Sequence, residues 1–191
     1  MDNVLIQGLP EDYEGFEVHT DFETGIMIMQ VLSNEELSEF EQQYIAIHLL
    51  FDELEMPEDF ETAIRAVQWF LTGWNHDNHS AGKKQEAVVM DMDVDQWRIY
   101  SAFRAQYRIN LLEESLHFWE FMALLTTLEE CSFTRVVDIR GKKENNRMSA
   151  EERWALRQAK RAYAIKEEKK GNKILTKAEE EFLKYANIKK K

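Results

Sequence analysis

The sequence predicts a mainly α-helical protein: a compact helical domain with a small N-terminal β-hairpin and a basic C-terminal helical extension. Two patterns predict the helices. Apolar residues recur at three- and four-residue steps along most of the chain, and Ser/Thr-x-x-Glu capping boxes precede several of these runs. In addition, the 191 residues include only seven glycines and two prolines, which disfavours a long all-β or loop-rich architecture.

The N-terminal part of the chain combines β-prone runs with a helix start. Residues 4–6 and 16–18 are short β-prone runs separated by turn-forming residues, which predicts a small hairpin or an irregular cap. Thr20 and Glu23 have capping-box spacing ahead of apolar residues at helical steps. We therefore expect the first helix to begin at this point.

Two more helices are predicted before residue 73. Ser33 and Glu36 repeat the capping-box spacing and predict the start of the second helix. Pro57 suits the first turn of the third helix, and Gly73 suits its end. The residues of this third helix expected to face the core are Phe60, Ile64, Val67, Trp69, Phe70 and Leu71. The polar stretch that follows, residues 74–90, predicts a loop.

The densest apolar stretch lies between residues 116 and 128, where nine of thirteen residues are apolar. A helix that is apolar on nearly every side belongs in a core, so we expect Trp119 to be buried. The spacing predicts paired helices over residues 93–107 and 113–128. The N-cap of the first is expected to be one of three aspartates: Asp91, Asp93 or Asp95.

Charge divides the chain into an acidic body and a basic tail. Residues 1–139 carry 28 Asp and Glu against 7 Lys and Arg, a net charge of −21. Residues 140–191 carry 8 against 17, a net charge of +9. We therefore expect an acidic helical core domain over 1–140 and a basic helical tail over 141–191, with a linker near 141–148.

Capping boxes also predict the helices of the tail. Ser149 with Glu152 opens a long helix that runs toward Gly171. A second box opens a last short helix, and its relevant residues are Thr176, Glu179, Phe182, Leu183 and Tyr185. The basic tail can pair with its own body, with another copy, or with an acidic or phosphate-bearing partner.

Five residues are candidates for partner contact. Trp74 follows the end of the third helix, and aromatic residues are favoured anchors at interfaces. The other four are cations of the first tail helix: Arg153, Arg157, Lys160 and Arg161. The arginines recur every four residues and therefore share one helix face. A stripe that is solvated or paired with acids is the simpler interpretation, and a docking face for an acidic protein is the alternative.

Calcium binding by the three central aspartates is disfavoured. Asp91, Asp93 and Asp95 have the alternate spacing that begins an EF-hand loop. That loop needs Gly at its sixth position and Glu at its twelfth, where this chain has Gln96 and Ala102.

The other residues that could bind a metal or catalyse a reaction also lack the neighbours that such a site needs. His76 and His79 are not followed by a second ligand pair at a zinc-like distance, and Cys131 has no obvious base beside it. No phosphate-cradling glycine loop is present. We therefore expect a protein that is not an enzyme and that needs no metal or cofactor. With neither a signal peptide nor an apolar membrane span visible, we expect it to be soluble and intracellular.

The central block carries a family resemblance. The residues concerned are Asp93, Asp95, Ile99, Tyr100, Ala102, Phe103, Tyr107, Ile109, Asn110, Leu111, Leu116, His117, Phe118, Trp119, Phe121 and Leu128. Similar patterns extend the likeness over about residues 16–165 and include Ile139-Arg140 and the Ser149 helix start. In these features the chain resembles small proteins of long-tailed phages of Gram-positive bacteria that are encoded just ahead of the tape-measure gene.

This resemblance implies a tail assembly chaperone. Such a protein would bind the apolar, helical tape-measure protein in the cytoplasm of the host bacterium and keep it soluble, with the tail-tube protein as a second candidate partner. Homo-oligomer formation is left open. The alternatives are a structural component of the virion, at the head–tail junction or in the tail, and nucleic-acid binding through the basic tail. The acidic body argues against nucleic acid, because it would repel phosphates.

Overall fold

The computed structural model describes residues 3–74 and 88–165, and these form eight helices and one small hairpin. The helices are α1 (Val4–Gln7), α2 (Phe22–Leu32), α3 (Glu39–Leu50), α4 (Phe60–Thr72), α5 (Met92–Gln106), α6 (Phe118–Thr126), α7 (Ser132–Gly141) and α8 (Ala150–Ala162). The antiparallel strands are β1 (Asp12–Tyr13) and β2 (Phe16–Glu17). The predicted mainly α-helical fold with an N-terminal hairpin is confirmed.

The hairpin is smaller than the β-prone runs indicate. Residues 4–6 belong to the helical turn α1, capped by the Asn3 side chain, and not to a strand. The turn between the strands places Glu14 and Gly15 at φ values of 53° and 90°. Two consecutive residues with positive φ match the twist of a two-residue hairpin, so the chain reverses between β1 and β2.

Helix α2 begins one residue later than predicted. Its N-cap is Asp21 and not Thr20, because the Asp21 carboxylate accepts hydrogen bonds from the backbone N–H and the hydroxyl of Thr24, at 2.7 and 2.9 Å. The backbone carbonyl of Thr20 instead accepts a hydrogen bond from the N–H of Phe118 at 2.7 Å. This long-range bond ties the start of α2 to the start of α6.

The predicted start of the second helix at Ser33 is wrong. Ser33 ends α2, and α3 begins after Ser38, which forms a reciprocal capping box with Glu41. Similarly, Pro57 lies ahead of α4, whose N-cap is Asp59. Residues that can cap a helix occur at several positions before each helix, so sequence spacing alone does not show which of them is the N-cap.

The central block forms three helices where two were predicted. Helix α5 is capped by Asp91, as expected of one of the three aspartates. Helix α6 is shorter than the predicted range 113–128 and begins after His117. Helix α7, which begins after Cys131, was not predicted.

The core is formed by buried residues of α2, α3, α4, α5, α6 and α7. The buried ring of Phe121 stacks on Phe22 and on Phe103, with centroids 5.0 and 5.2 Å apart. Trp119 is only 7% exposed, and its Nε1 donates a hydrogen bond to the backbone carbonyl of Phe70 at 2.7 Å. The predicted burial of Trp119 is therefore confirmed.

Two glycines allow the helices to approach this closely. A Cβ atom at Gly25 would overlap the ring of Phe118, and one at Gly73 would overlap the ring of Trp119. Gly73 also ends α4, as predicted. On the outer side of the same helix, Phe60 is 41% exposed and stacks on Phe40, so its predicted core position is wrong.

The first part of the basic tail packs on the body. The predicted capping box of Ser149 and Glu152 is present, but α8 ends at Ala162 and not near Gly171. Residues 142–149 are not helical, and Leu156 is buried. The last predicted helix, at Thr176, lies outside the described residues, and the division into two domains stays a prediction.

Candidate partner-binding surface

A buried ion pair holds α5 against α7. Asp95 is fully buried, and Arg140 reaches it with two guanidinium nitrogens, Nη1 to Oδ2 at 2.5 Å and Nη2 to Oδ1 at 3.2 Å. Arg98 adds a third bond at 2.9 Å. The Arg140 Nε also donates to the carbonyl of Tyr163 at 2.6 Å, so the end of α8 joins the same network. This arrangement is enclosed, and its chemistry is structural support.

No sequence pattern predicts this ion pair. Asp95 and Arg140 are 45 residues apart, and no local spacing relates them. The only available signal was that both positions fall within the family resemblance.

The three central aspartates have separate partners. Asp91 caps α5, Asp93 accepts a hydrogen bond from the side chain of Gln30, and Asp95 binds arginines. Within residues 3–74 and 88–165 no group of three or more His, Cys, Asp and Glu side chains is placed to hold a metal ion. His76 and His79 lie outside the described residues.

His117 is partly buried and hydrogen-bonded through both ring nitrogens. Its Nδ1 accepts from the backbone N–H of Trp119 at 3.0 Å, and its Nε2 lies 3.0 Å from the carbonyl of Pro10. A neutral ring with its proton on Nε2 satisfies both contacts. Burial lowers the pKa of His117, because desolvation opposes the charged imidazolium. The residue therefore acts as a cap between α6 and the N-terminal segment.

The candidate cations of α8 have different surroundings. Arg157 forms two hydrogen bonds to Glu144, both at 2.8 Å, and this pairing lowers the pKa of the Glu144 carboxyl. Lys160 donates to the backbone carbonyl of Arg140 at 2.9 Å and so caps the end of α7. Two of the four candidate cations thus have partners within the chain.

The other two candidate cations differ in exposure. Arg161 is exposed and Arg153 is half-buried, and Trp154 on the same helix is 65% exposed. The four cations therefore do not act as one uniform stripe.

Trp74 is half-buried and belongs to an apolar cleft. Its Nε1 donates to the carbonyl of Leu71 at 3.1 Å. The cleft has a volume of about 560 Å³ and is also lined by Val4, Leu5 and Trp119. Leu5 is 92% exposed on the outer wall. Trp74 therefore has an apolar setting on the side of the molecule next to α1.

A second apolar cleft, which we term the α2–α5 groove, runs between α2, α5 and the loop before α6. Its volume is about 380 Å³. The lining residues are Phe22, Glu23, Ile26, Met92, Gln96, Trp97, Ile99, Tyr100, Leu111, Leu112 and Phe121. Trp97 and Leu112 are 68% and 76% exposed, so large apolar side chains stand open at its rim.

Glu23 is the one acidic residue among those that line the α2–α5 groove. Burial raises the pKa of Glu23, because the carboxylate loses hydration beside apolar walls. Two exposed acids are sequence neighbours of lining residues: Asp93 follows Met92, and Glu113 follows Leu112. The groove thus offers an apolar floor with acidic surroundings.

Trp97 and Leu112 are not among the contact residues predicted from the sequence. The available signal for Trp97 was its position beside, and not on, the inward stripe of Ile99 and Phe103. An aromatic residue off the buried face of an amphipathic helix is exposed unless another element covers it. For Leu112 no local signal was present.

A comparison with protein families identifies the chain. Residues 2–165 match the family model described as Bacteriophage Gp15 protein. The chain belongs to the Bacteriophage Gp15 protein family. The match covers every described helix, including α8, so the tail helix that carries Arg157 and Lys160 is part of the family's extent.

No curated protein and no solved structure matches this Gp15 family member. In the described part of the chain, no helix is long and apolar enough to cross a membrane. The family therefore shows that this is a phage protein, and the surfaces described above are the basis for its role.

Proposed function

We propose that this Gp15 family member is a tail assembly chaperone that binds the tape-measure protein in the cytoplasm of the host bacterium. It acts by binding and not by catalysis, and it needs no metal or cofactor. The resemblance to proteins encoded ahead of the tape-measure gene supports this role. Membership of a phage family is compatible with it.

The observation that carries the proposal is the α2–α5 groove. A holdase needs an accessible apolar surface, and this groove exposes Trp97 and Leu112 at its rim. Aromatic anchors at the edge of an apolar floor are typical of grooves that receive the apolar face of a helix. A long helical protein such as a tape measure offers many such faces.

A chaperone must also keep its complexes dispersed in solution, and the acidic body supports this requirement. Residues 1–139 carry a net charge of −21, so copies of the protein repel one another. A tape-measure chain coated by several copies would stay dispersed for the same reason. Binding of the tail-tube protein, or of another copy, would use the remaining surfaces around Trp74 and α8.

Co-expression with the tape-measure protein tests the proposal. We expect the tape-measure protein to stay soluble and to co-purify with the wild-type chain. The double substitution Trp97→Ser and Leu112→Ser should abolish both effects while leaving the melting temperature nearly unchanged, because both side chains are exposed.

Leu54→Ser is the matched control, since Leu54 is 99% exposed and does not line the groove. This control should keep full solubilising activity. Precipitation of the tape-measure protein with and without the wild-type chain would overturn the proposal. Recovery of the protein in stoichiometric amounts from purified virions would instead favour the structural alternative.

Pairing of the α8 cations within the chain argues against nucleic-acid binding through this helix. Arg157 is paired with Glu144 and Lys160 with a backbone carbonyl, so neither is a free phosphate ligand in this arrangement. A salt-dependent gel-retardation assay on the full chain tests this alternative directly.

A further inference from the structure

Three aromatic rings form a row on the surface where α3 meets α4. The ring centroids of Phe60 and Phe40 are 5.7 Å apart, and those of Phe40 and Tyr44 are 6.2 Å apart. The planes of these two pairs are inclined by 24° and 27°, so neighbouring rings lie almost parallel. We term these three side chains the aromatic row.

The aromatic row is open to solvent. The exposed fractions are 41% for Phe60, 64% for Phe40 and 50% for Tyr44. None of the three side chains belongs to the core cluster or lines the α2–α5 groove. Single exposed apolar side chains are ordinary, whereas adjoining ones mark a contact surface. The row is therefore a candidate contact surface separate from the groove.

The charges around the aromatic row have one sign. Six exposed acids lie within four residues of Phe40 or Phe60 in the sequence, and no lysine or arginine does. These acids are Glu36, Glu39, Glu41, Glu58, Asp59 and Glu61. The same bias extends along the chain, because residues 1–64 contain 17 Asp and Glu and no Lys or Arg.

Helix capping and local pairing leave most of this charge in place. Glu41 completes the capping box of Ser38, Asp59 caps α4, and Glu61 lies 3.7 Å from Arg65. The N-termini of α3 and α4 each carry about half a positive charge. Together with Arg65 they offset about two of the six negative charges, so a local charge of about −4 remains.

Ring faces and carboxylates select the same kind of ligand. A ring face attracts a cation through its quadrupole, and a carboxylate attracts it by charge. Arginine suits both, because its planar guanidinium stacks on rings and forms paired hydrogen bonds to a carboxylate. The acids would repel the phosphates of nucleic acid or of a membrane, and an apolar helix would cover them without pairing them. Charge complementarity therefore favours an occupant that carries arginine.

The spacing of the rings favours a helix as the carrier of these arginines. Phe40 and Tyr44 are four residues apart, which corresponds to a rise of about 6 Å along α3. Arginines four residues apart on a partner helix have the same separation and share one face. A helix lying along α3 can therefore place successive guanidinium groups over successive rings.

We propose that the aromatic row binds a helix of a partner protein that carries arginines at four-residue steps. The rings and the carboxylates beside them provide the specificity, and the remaining acidic surface adds long-range attraction. This contact goes beyond the proposed function, because it uses a different surface and does not depend on what the α2–α5 groove binds. Its failure would leave the co-expression test of the chaperone role unaffected, and the reverse also holds.

Titration of the full chain with designed helical peptides tests the proposal. One peptide carries arginines at four-residue steps, and a second carries citrulline, the uncharged analogue of arginine, at the same positions. We expect isothermal titration calorimetry to show about tenfold tighter binding of the arginine peptide, the size that two exposed cation–π contacts provide. Absence of binding, or equal affinity for the two peptides, would overturn the proposal. A third peptide with lysines should bind less tightly than the arginine peptide, and equal affinity would contradict the choice of arginine.

A matched pair of serine variants locates the contact. Phe40→Ser with Tyr44→Ser should weaken binding of the arginine peptide about tenfold, because two ring faces are lost. Trp97→Ser with Leu112→Ser removes two exposed apolar side chains from the groove and should leave the affinity unchanged. Circular dichroism verifies that both variants are folded. Unchanged affinity in the first variant, or a larger loss in the second, would show that the peptide does not bind at the aromatic row.

A matched pair of charge variants separates local charge from overall charge. Glu39→Gln with Glu58→Gln removes two charges beside the aromatic row and should weaken binding about threefold or more. Glu113→Gln with Glu151→Gln removes the same charge next to the groove rim and on α8. Its effect should be smaller, because salt at about 0.1 M screens charges over about 10 Å. Equal losses would mean that only the net acidity of the protein attracts the peptide, and the proposal would be wrong.

Discussion

Two tryptophans on neighbouring helices have opposite environments. Trp119 on α6 is 7% exposed, and its indole N–H is satisfied by the Phe70 carbonyl. Trp97 on α5 is 68% exposed, and its aromatic neighbour is Tyr100 at a centroid distance of 6.0 Å. One ring completes the interior, and the other forms the rim of a groove.

The difference shows what burial of a tryptophan requires. Trp119 lies against Gly73, where the absence of a side chain leaves room for the indole, and an acceptor stands within hydrogen-bonding distance. Trp97 has no element packed over it within the described residues. The amino-acid type is the same, so the packing of α4 on α6 decides the role.

Replacing each tryptophan separately with alanine is the sharpest test of this comparison. We expect Trp119→Ala to lower the free energy of unfolding by about 3–5 kcal/mol, as loss of a buried large aromatic side chain does. Trp97→Ala should change it by no more than about 0.5 kcal/mol, as is usual for exposed positions. Urea denaturation followed by circular dichroism measures both. Equal losses would show that Trp97 is also part of the core.

The buried ion pair lies on the other side of α5 from the groove. We expect its loss to lower the free energy of unfolding by as much as Trp119→Ala does, or by less. Arg140→Met leaves the buried Asp95 carboxylate with Arg98 as its remaining cation, which should cost about 3–5 kcal/mol at most. Arg135→Met on the same helix breaks the exposed pair with Glu130 and should cost less than about 1 kcal/mol. Comparable losses for the two variants would show that the enclosed pair has no special role.

Substitution of Gly25 tests the close approach of α2 to α6. Gly25→Ala places a methyl group against the buried Phe118 ring and should destabilise the protein by about 1–3 kcal/mol through overpacking. Gly141→Ala is the control, because its Cβ would meet Val89 Cγ1 at 3.6 Å, an ordinary contact. Thermal unfolding distinguishes them. A Gly25→Ala protein as stable as the control would mean that α2 and α6 are further apart.

The smallest expected effect is the pH dependence contributed by His117. Its pKa is lowered in the folded protein, so the unfolded chain binds the proton more readily. Stability should therefore fall as pH drops below about 6.5, the unfolded value, and the loss should level off below the folded pKa. His117→Asn keeps a capping acceptor and should reduce this slope. Denaturant midpoints between pH 7.5 and 5.5 provide the measurement; an identical slope in both proteins would exclude a contribution from His117.

Partner contact by the candidate residues stays a prediction, whereas the predicted burial of Trp119 in the core is confirmed. Arg157 on the shared arginine face and the adjacent Lys160 each have a partner within the chain. The groove residues Trp97 and Leu112 were not chosen, since exposure of an apolar side chain depends on what covers it. Whether Trp74, Arg153, Arg157, Lys160 and Arg161 contact a partner stays a prediction.

The sequence by itself determined the features that depend on nearby residues. Helical periodicity, an aspartate cap for α5, the Ser149 cap, the stop at Gly73 and the burial of Trp119 all follow from patterns a few residues long. The tertiary structure alone decided the bond between Thr20 and Phe118, the pairing of Asp95 with Arg140, and the open groove beside Trp97. These features join residues far apart in the chain, and their energies depend on how helices pack and not on any local spacing.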